Sequence, residues 1–259
     1  MAITSLTLSS MCGCTWLQSS APPPPPPPRL RACCYSSTQL SVHKTLTRIH
    51  SSGVIACLRA NSAELALKAA RAALSGGISV LEIVMSTPGV FEVLQQLVQE
   101  RPTTTLGIGT VLNVADVKNA INAGAKFLMS PAMVKDIMVD AQCGEVLYIP
   151  GVMTPTEVYL VSALGGSRYI SALKRPFHHI SMVASQGITI DSVRKYITQG
   201  ASAVVLSDAI FDEAISQNNF NEICRLAHSA ALQGNEALEC FSQCNCGRFK
   251  KHDDDLWPS

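Results

Sequence analysis

Eight times along this chain a short apolar run is followed by a more polar segment, usually of helix length. The runs are Val54–Leu58, Val80–Val84, Thr105–Gly109, Lys126–Met129, Val146–Pro150, Val158–Ser162, Ile180–Ala184 and Ala203–Leu206. Continuous apolar runs of this length mark parallel strands buried on both faces, and the helix between them is the crossover that parallel pairing needs. The expected fold is α/β, a (β/α)8 barrel. A doubly wound open sheet has the same periodicity and is the alternative. One beat is broken. Only seven residues, Gly151 to Glu157, separate the fifth run from the sixth, where a crossover takes a dozen or more. The helix between strands five and six is therefore expected to be missing. Seven extended residues still reach about 25 Å, enough to return beside a strand of about 17 Å.

A length of 259 residues, 47% hydrophobic and 15% charged, suits one barrel with tails. The net charge of +1 offers no electrostatic case for nucleic acid or an anionic membrane. No strongly apolar run approaches the roughly 20 residues of a membrane span. The first acidic residue is Glu64, and the stretch before it is rich in Ser, Thr and Arg, with a proline run from Pro22 to Pro28. That composition fits an organelle leader, for a plastid first and a mitochondrion second. Residues 1–45 are assigned to this leader, 46–233 to the barrel and 234–259 to a Cys-rich polar tail without fixed structure. Cys57, Cys143 and Cys224 sit in apolar or helical contexts and read as ordinary thiols. The tail thiols Cys240, Cys244 and Cys246 have a C-x3-C-x-C spacing that matches no common zinc pattern, so neither a metal nor another cofactor is expected.

In a barrel of this kind the chemistry sits at the C-terminal ends of the strands. Those ends carry Arg59, Thr110, Ser130-Pro131, Gly151, Ser185-Gln186-Gly187 and Ser207-Asp208, and strand two carries Glu82 between Leu81 and Ile83. A carboxylate inside an apolar strand faces the barrel interior or a paired charge. Burial raises its pKa, which suits proton transfer near neutral pH; the structural alternative is an ion pair with Arg59. The loops after strands seven and eight often cradle phosphate. Gly187 permits close backbone approach and Ser207 offers a hydroxyl, while Asp208 opposes an anion unless it caps the next helix.

Several segments in register bear a resemblance. They are Val54–Arg59, Gly76-Gly77 before Leu81-Glu82-Ile83, Gly107–Leu112, Phe127–Pro131 and Ile149-Pro150-Gly151. From about Ser51 to Ala231 the chain resembles the 2-keto-3-deoxy-6-phosphogluconate (KDPG) and 4-hydroxy-2-oxoglutarate (KHG) aldolases. The resemblance implies a homotrimeric class I aldolase on a TIM barrel, without a metal. Its substrate is a small keto acid, cleaved to pyruvate and an aldehyde. A lysine forms an imine with the 2-keto carbon, and the protonated imine accepts the electrons of the breaking C3–C4 bond. By the same resemblance Glu82 shuttles protons, Thr110 holds the pyruvate carboxylate, Pro131 lines the pocket, Arg59 belongs to the active site, and Gly187 and Ser207 hold the phosphate end.

Three positions depart from that pattern. Ser86 stands where bacterial members carry an arginine, Gln186 replaces the first of paired glycines, and Glu157 stands before Val158–Gly166 where the imine lysine belongs. Lys126 begins strand four, at the wrong end of the barrel, and Lys68, Lys118, Lys135, Lys174 and Lys195 read as helical and outward-facing. None is expected to replace the missing lysine. The leading reading is an aldolase by descent whose shortened chain is inactive. A second is a non-catalytic subunit or keto-acid-binding protein. A third, a metal-dependent lyase using Glu82, lacks ligands, because His178 and His179 precede strand seven on the wrong face.

Overall fold

The structure, a computed structural model, describes residues 32–142, 146–151 and 166–249. Everything below concerns the unit Cys33–Ser259. Seven parallel strands form one sheet in the order β5-β4-β3-β2-β1-β7-β6. They are β1 (Val54–Leu58), β2 (Val80–Val84), β3 (Thr105–Gly109), β4 (Phe127–Ser130), β5 (Leu147–Pro150), β6 (Val183–Ala184) and β7 (Ala203–Leu206). The helices between them are α2 (Ala63–Ser75), α3 (Val90–Glu100), α4 (Val114–Asn122), α5 (Lys135–Gln142), α6 (Gly166–Lys174) and α7 (Val193–Thr198). Helix α1 (Ala32–Ser52) precedes the sheet, and α8 (Asp212–Ser216) and α9 (Phe220–Phe249) follow it. The broken beat and the sixth apolar run, Val158–Ser162, lie outside the described residues beyond Gly151.

Local chemistry sets the helix ends. Ser62 and Asn113 cap α2 and α4 by accepting from Leu65 N and Asp116 N. Buried Ala66, Ala69, Ala70 and Ala73 give α2 a narrow apolar stripe against the sheet. The two sheet faces are buried differently. One packs on the helices in the large core that includes Leu81, Ile83, Leu94, Leu97 and Val204. The other gathers Ile55, Val80, Phe127, Ile149, Val183, Ala203 and Val205 from six strands, with Ile49 of α1 as the helical member. A doubly wound sheet has helices over both faces. Here the inner face covers itself, as in a barrel wall, and the doubly wound alternative fails on that ground.

Helix α1 starts inside the segment assigned to a leader. Thr45 and Ile49, four residues apart, are buried, and Arg48 Nη1 donates to Thr103 O at 2.9 Å. The apolar period was hidden because one of its positions is a threonine. On the same helix His50 Nε2 is buried without a partner among the described residues, and burial, then Lys174, hold its pKa below the usual value. At the other terminus the sequence reading stopped the last helix near Ala231 and gave residues 234–259 to a tail. Instead α9 runs to Phe249. Ile223, Ala227, Ala230, Gly234 and Ala237 are its buried stripe. Gly234 is a close-approach position and not a stop: a Cβ there would lie 2.7 Å from Ser52 O and 3.0 Å from Val54 Cγ2. β6 is also shorter than the run Ile180–Ala184 suggests, because Ile180 and Met182 pack with Leu173 and Phe177 in a separate cluster.

Candidate active site

Register decides which side chains meet inside the wall. Cys57 lies opposite Glu82, and Glu82 opposite Gly107, across β1, β2 and β3. Side chains alternate along a strand, so Ile55, Cys57 and Arg59 share a face with Val80, Glu82 and Val84. Glu82 is 5% exposed. Two glycines on β3 make room beside it. A Cβ on Gly107 would sit 2.6 Å from the Phe127 ring, and one on Gly109 would fall on Glu82 Oε1. The ring thus fills the interior below, and the carboxyl lies over the bare Cα of Gly109.

Burial raises the pKa of Glu82 from an ordinary 4.5 to about 7. A hydrogen bond from the Cys57 thiol and the charge of Arg59 oppose that rise without cancelling it. The thiol of Cys57 is itself pushed well up, first by burial and then by Glu82, and shares a hydrogen bond with the Ser207 side chain. Glu82 Oε2 has no hydrogen-bond partner among the described residues although it is buried. A buried polar atom left open is uncommon and asks for a ligand or a proton. Arg59 is exposed and does not form a close ion pair with Glu82; the close pairs among the described residues are Lys68–Glu64, Arg71–Glu100 and Arg225–Glu222.

The loops around this carboxyl are held by specific bonds. Ala60 N donates to the buried Thr87 Oγ1 at 3.3 Å, which joins the loop carrying Arg59 to the loop after β2. Val134 N donates to Tyr148 Oη at 3.2 Å, and Tyr148 and Ser130 hydroxyls meet at 2.6 Å. Ser130 Oγ donates onward to Ala132 O at 2.6 Å, and this chain of bonds brackets Pro131. Gly151 N donates to Ser130 O at 2.7 Å. Thr110 directly follows β3 at φ 62, a conformation that strains a β-branched residue. Such strain clusters at functional positions.

Arg59, Glu82 and Ser207 therefore come together, with Cys57 linking the last two. Thr110 and Pro131 follow the ends of adjacent strands β3 and β4. Gly187 does not join this group. With φ 64, after Gln186 at φ 76, it lines a cleft with Thr189 and Ser192 that includes none of the other predicted site residues. Gln186 holds the left-handed conformation that glycine adopts most easily. Asp208 is not a helix cap: Ile210 N and Phe211 N both donate to Ser207 O at 3.0 Å, and α8 begins only at Asp212. Asp208 instead hydrogen-bonds Asp212, whose pKa rises through burial and then through Asp208, against the pull of Arg59.

Sequence reasoning missed Cys57 and Thr87. Cys57 read as a core thiol because the whole run around it is apolar, yet its two-residue spacing from Arg59 already put both on one face. Thr87 gave no signal beyond lying in a loop. Lys174 was read as outward-facing but is partly buried. Its Nζ donates to Ile180 O at 2.6 Å and His178 O at 3.3 Å, and burial lowers its pKa. It sits at the C-terminal end of α6, hence at the N-terminal end of the strands and away from Glu82.

Known proteins resemble this chain over most of the region that forms the sheet and its helices. The family model described as KDPG and KHG aldolase matches residues 46–226. A 2-dehydro-3-deoxy-phosphogluconate aldolase of Dickeya dadantii is 28% identical over 191 residues, covering 68% of this chain and 90% of the relative. The KHG/KDPG aldolase of Escherichia coli K12 is 27% identical over 186 residues, with 64% and 85% covered. Among solved structures, the KDPG aldolase of Legionella pneumophila, with pyruvate captured as a covalent carbinolamine, superposes with a TM-score of 0.66 at 26% identity. That match covers 72% of this chain and 97% of the other.

Proposed function

Because this chain belongs to the KDPG and KHG aldolase family, a family of lyases, we propose that its barrel holds a small 2-keto acid over Glu82. The observation that carries this reading is the buried carboxyl of Glu82, with one open oxygen and a pKa of about 7. A group titrating there is present in both protonation states at neutral pH, so it can accept a proton from a bound keto acid and return it. In this reading Thr110 presents its backbone amide and hydroxyl to the keto-acid carboxylate, Pro131 walls the pocket, and Arg59 and Ser207 sit at the mouth.

The imine step needs an amine beside the keto carbon, and the position expected to supply it is Glu157. Lys68, Lys118, Lys126, Lys135 and Lys195 are exposed, and Lys174 is spent on carbonyls at the far end of the strands. We therefore read the chain as keeping the binding and proton-transfer parts of an aldolase site without carbon–carbon cleavage. A homotrimeric assembly and an organellar address belong to the same reading, supported by the family resemblance and by the composition before Glu64. Borohydride trapping with pyruvate, followed by intact mass, tests it. No covalent adduct is expected, while isothermal titration detects reversible pyruvate binding that Glu82→Gln weakens. A stoichiometric adduct on one lysine would overturn the loss of the imine step.

A further inference from the structure

We propose that Cys57 is a positioning residue for proton transfer by Glu82: its thiol braces the carboxyl from β1, with Ser207 behind it, and leaves one carboxyl oxygen open for the keto acid. The inference rests on the reading of Glu82 as the group that exchanges a proton with that keto acid.

The sheet register builds the brace. Cys57 stands opposite Glu82 across β1 and β2, and the pairing of Ala56 with Leu206 brings Ser207 alongside Cys57 from the end of β7. Partners at one level of a parallel sheet point to the same face, so Ser207, Cys57 and Glu82 form a row. The other flank of β2 offers the carboxyl no side-chain donor. Gly107 stands opposite Glu82 there, and the carboxyl lies over Gly109. On its own strand, Val80 and Val84 share the face of Glu82 and carry no polar side-chain atom. The carboxyl therefore meets its donor on the β1 side. Its Oε2 is buried, in a residue 5% exposed, and has no partner among the described residues.

The row has a direction. The Cys57 thiol donates to the Glu82 carboxyl, and the Ser207 hydroxyl donates to the sulfur. Burial first, and then the carboxylate, hold the thiol well above its ordinary pKa. It therefore keeps its proton and stays a donor throughout the range in which the carboxyl titrates. A donor to the charged form favours that form. Burial lifts the carboxyl to about 7, while the thiol first and Arg59 second pull the other way. Arg59 is exposed, so water and salt screen its share, and Asp212, hydrogen-bonded to Asp208, faces the same cation. β3 brings no titratable group, since its neighbours to Glu82 are Gly107 and Gly109. A side chain that merely filled the place of Cys57 would pack there and leave the carboxyl without its donor.

The test follows the carbonyl stretch of the protonated Glu82 carboxyl in the full chain by infrared spectroscopy, from about pH 5 to about pH 9, with Glu82→Gln identifying the band. Cys57→Val suits a strand and carries no donor. It is expected to raise the titration midpoint by about one pH unit, the low end for one hydrogen bond to a charged group. Cys57→Ser keeps a donor and should hold the midpoint within about 0.3 units of the parent. Packing loss lowers the melting temperature of either variant and does not separate their midpoints. Pyruvate binding, followed by calorimetry over the same range, should shift its pH dependence with the infrared midpoint. The proposal is overturned by a valine variant whose midpoint stays or falls, or by a serine variant that shifts as far as valine. If the midpoints separate as expected while the parent binds no pyruvate at any pH, the brace stands and the keto-acid reading falls.

Discussion

A single carboxyl sets the acid–base character of the barrel interior. The pKa of Glu82 rises from 4.5 to about 7 on folding, so the folded state holds the proton more tightly than the unfolded chain. Its contribution to stability is complete below about pH 4.5 and is lost as pH rises through 7. A shift of this size corresponds to about 3 kcal/mol. Glu82→Gln, with similar shape and no charge, should remove that slope, so urea midpoints at pH 5 and pH 8 should converge in the variant and stay apart in the parent. Thr110 makes the opposite kind of case. Its φ of 62 carries strain of about 1–3 kcal/mol, and glycine takes that conformation freely. Thr110→Gly is expected to raise unfolding stability by about 1 kcal/mol and to weaken pyruvate binding; a loss of stability would show that the threonine side chain, and not its strain, dominates.

At the scale of elements, the strands were the most legible part of the sequence. β1, β2, β3 and β7 begin and end where their apolar runs do, because both faces of these strands are buried and nothing polar blurs the boundary. The terminal helices were the least legible. Beside the apolar Ile49 and Ile223, their buried positions include Thr45 in α1 and Gly234 in α9, residues that make contact by being small or tolerated and so leave no apolar signal. The site was legible to the same degree. Glu82 stood out as a charge in an apolar run, whereas the place of Cys57 beside it emerges only from register and packing. The close approach at Gly234 gives a direct check. Gly234→Val would press on Ser52 O and Val54 Cγ2, and should destabilise the fold by about 1–3 kcal/mol in thermal melting, with Gly234→Ala milder.

For the whole molecule, the self-covered inner face needs one outside element to finish it. Ile49 of α1 is the helical side chain in the inner cluster, and Arg48 ties the same helix to Thr103 O. Deleting residues 32–52 should leave the strands able to pair but open the floor of the barrel. Increased binding of a hydrophobic dye, with near-ultraviolet circular dichroism lost before far-ultraviolet, is the expected signature. An unchanged dye response would mean that the cluster closes without its helix.

The carboxyl of Glu82 resting on the bare Cα of Gly109 has a consequence for inheritance. Neither position is free to drift alone. A side chain at 109 would land on the carboxyl, and the carboxyl is what gives the absence of a side chain at 109 its value. Only a mutational path that first shortens or removes the acid at 82 can then admit alanine at 109. After that step the way back is closed, because a restored glutamate would find its place already filled. Two strands that pair through their backbones thus act as a ratchet between two codons.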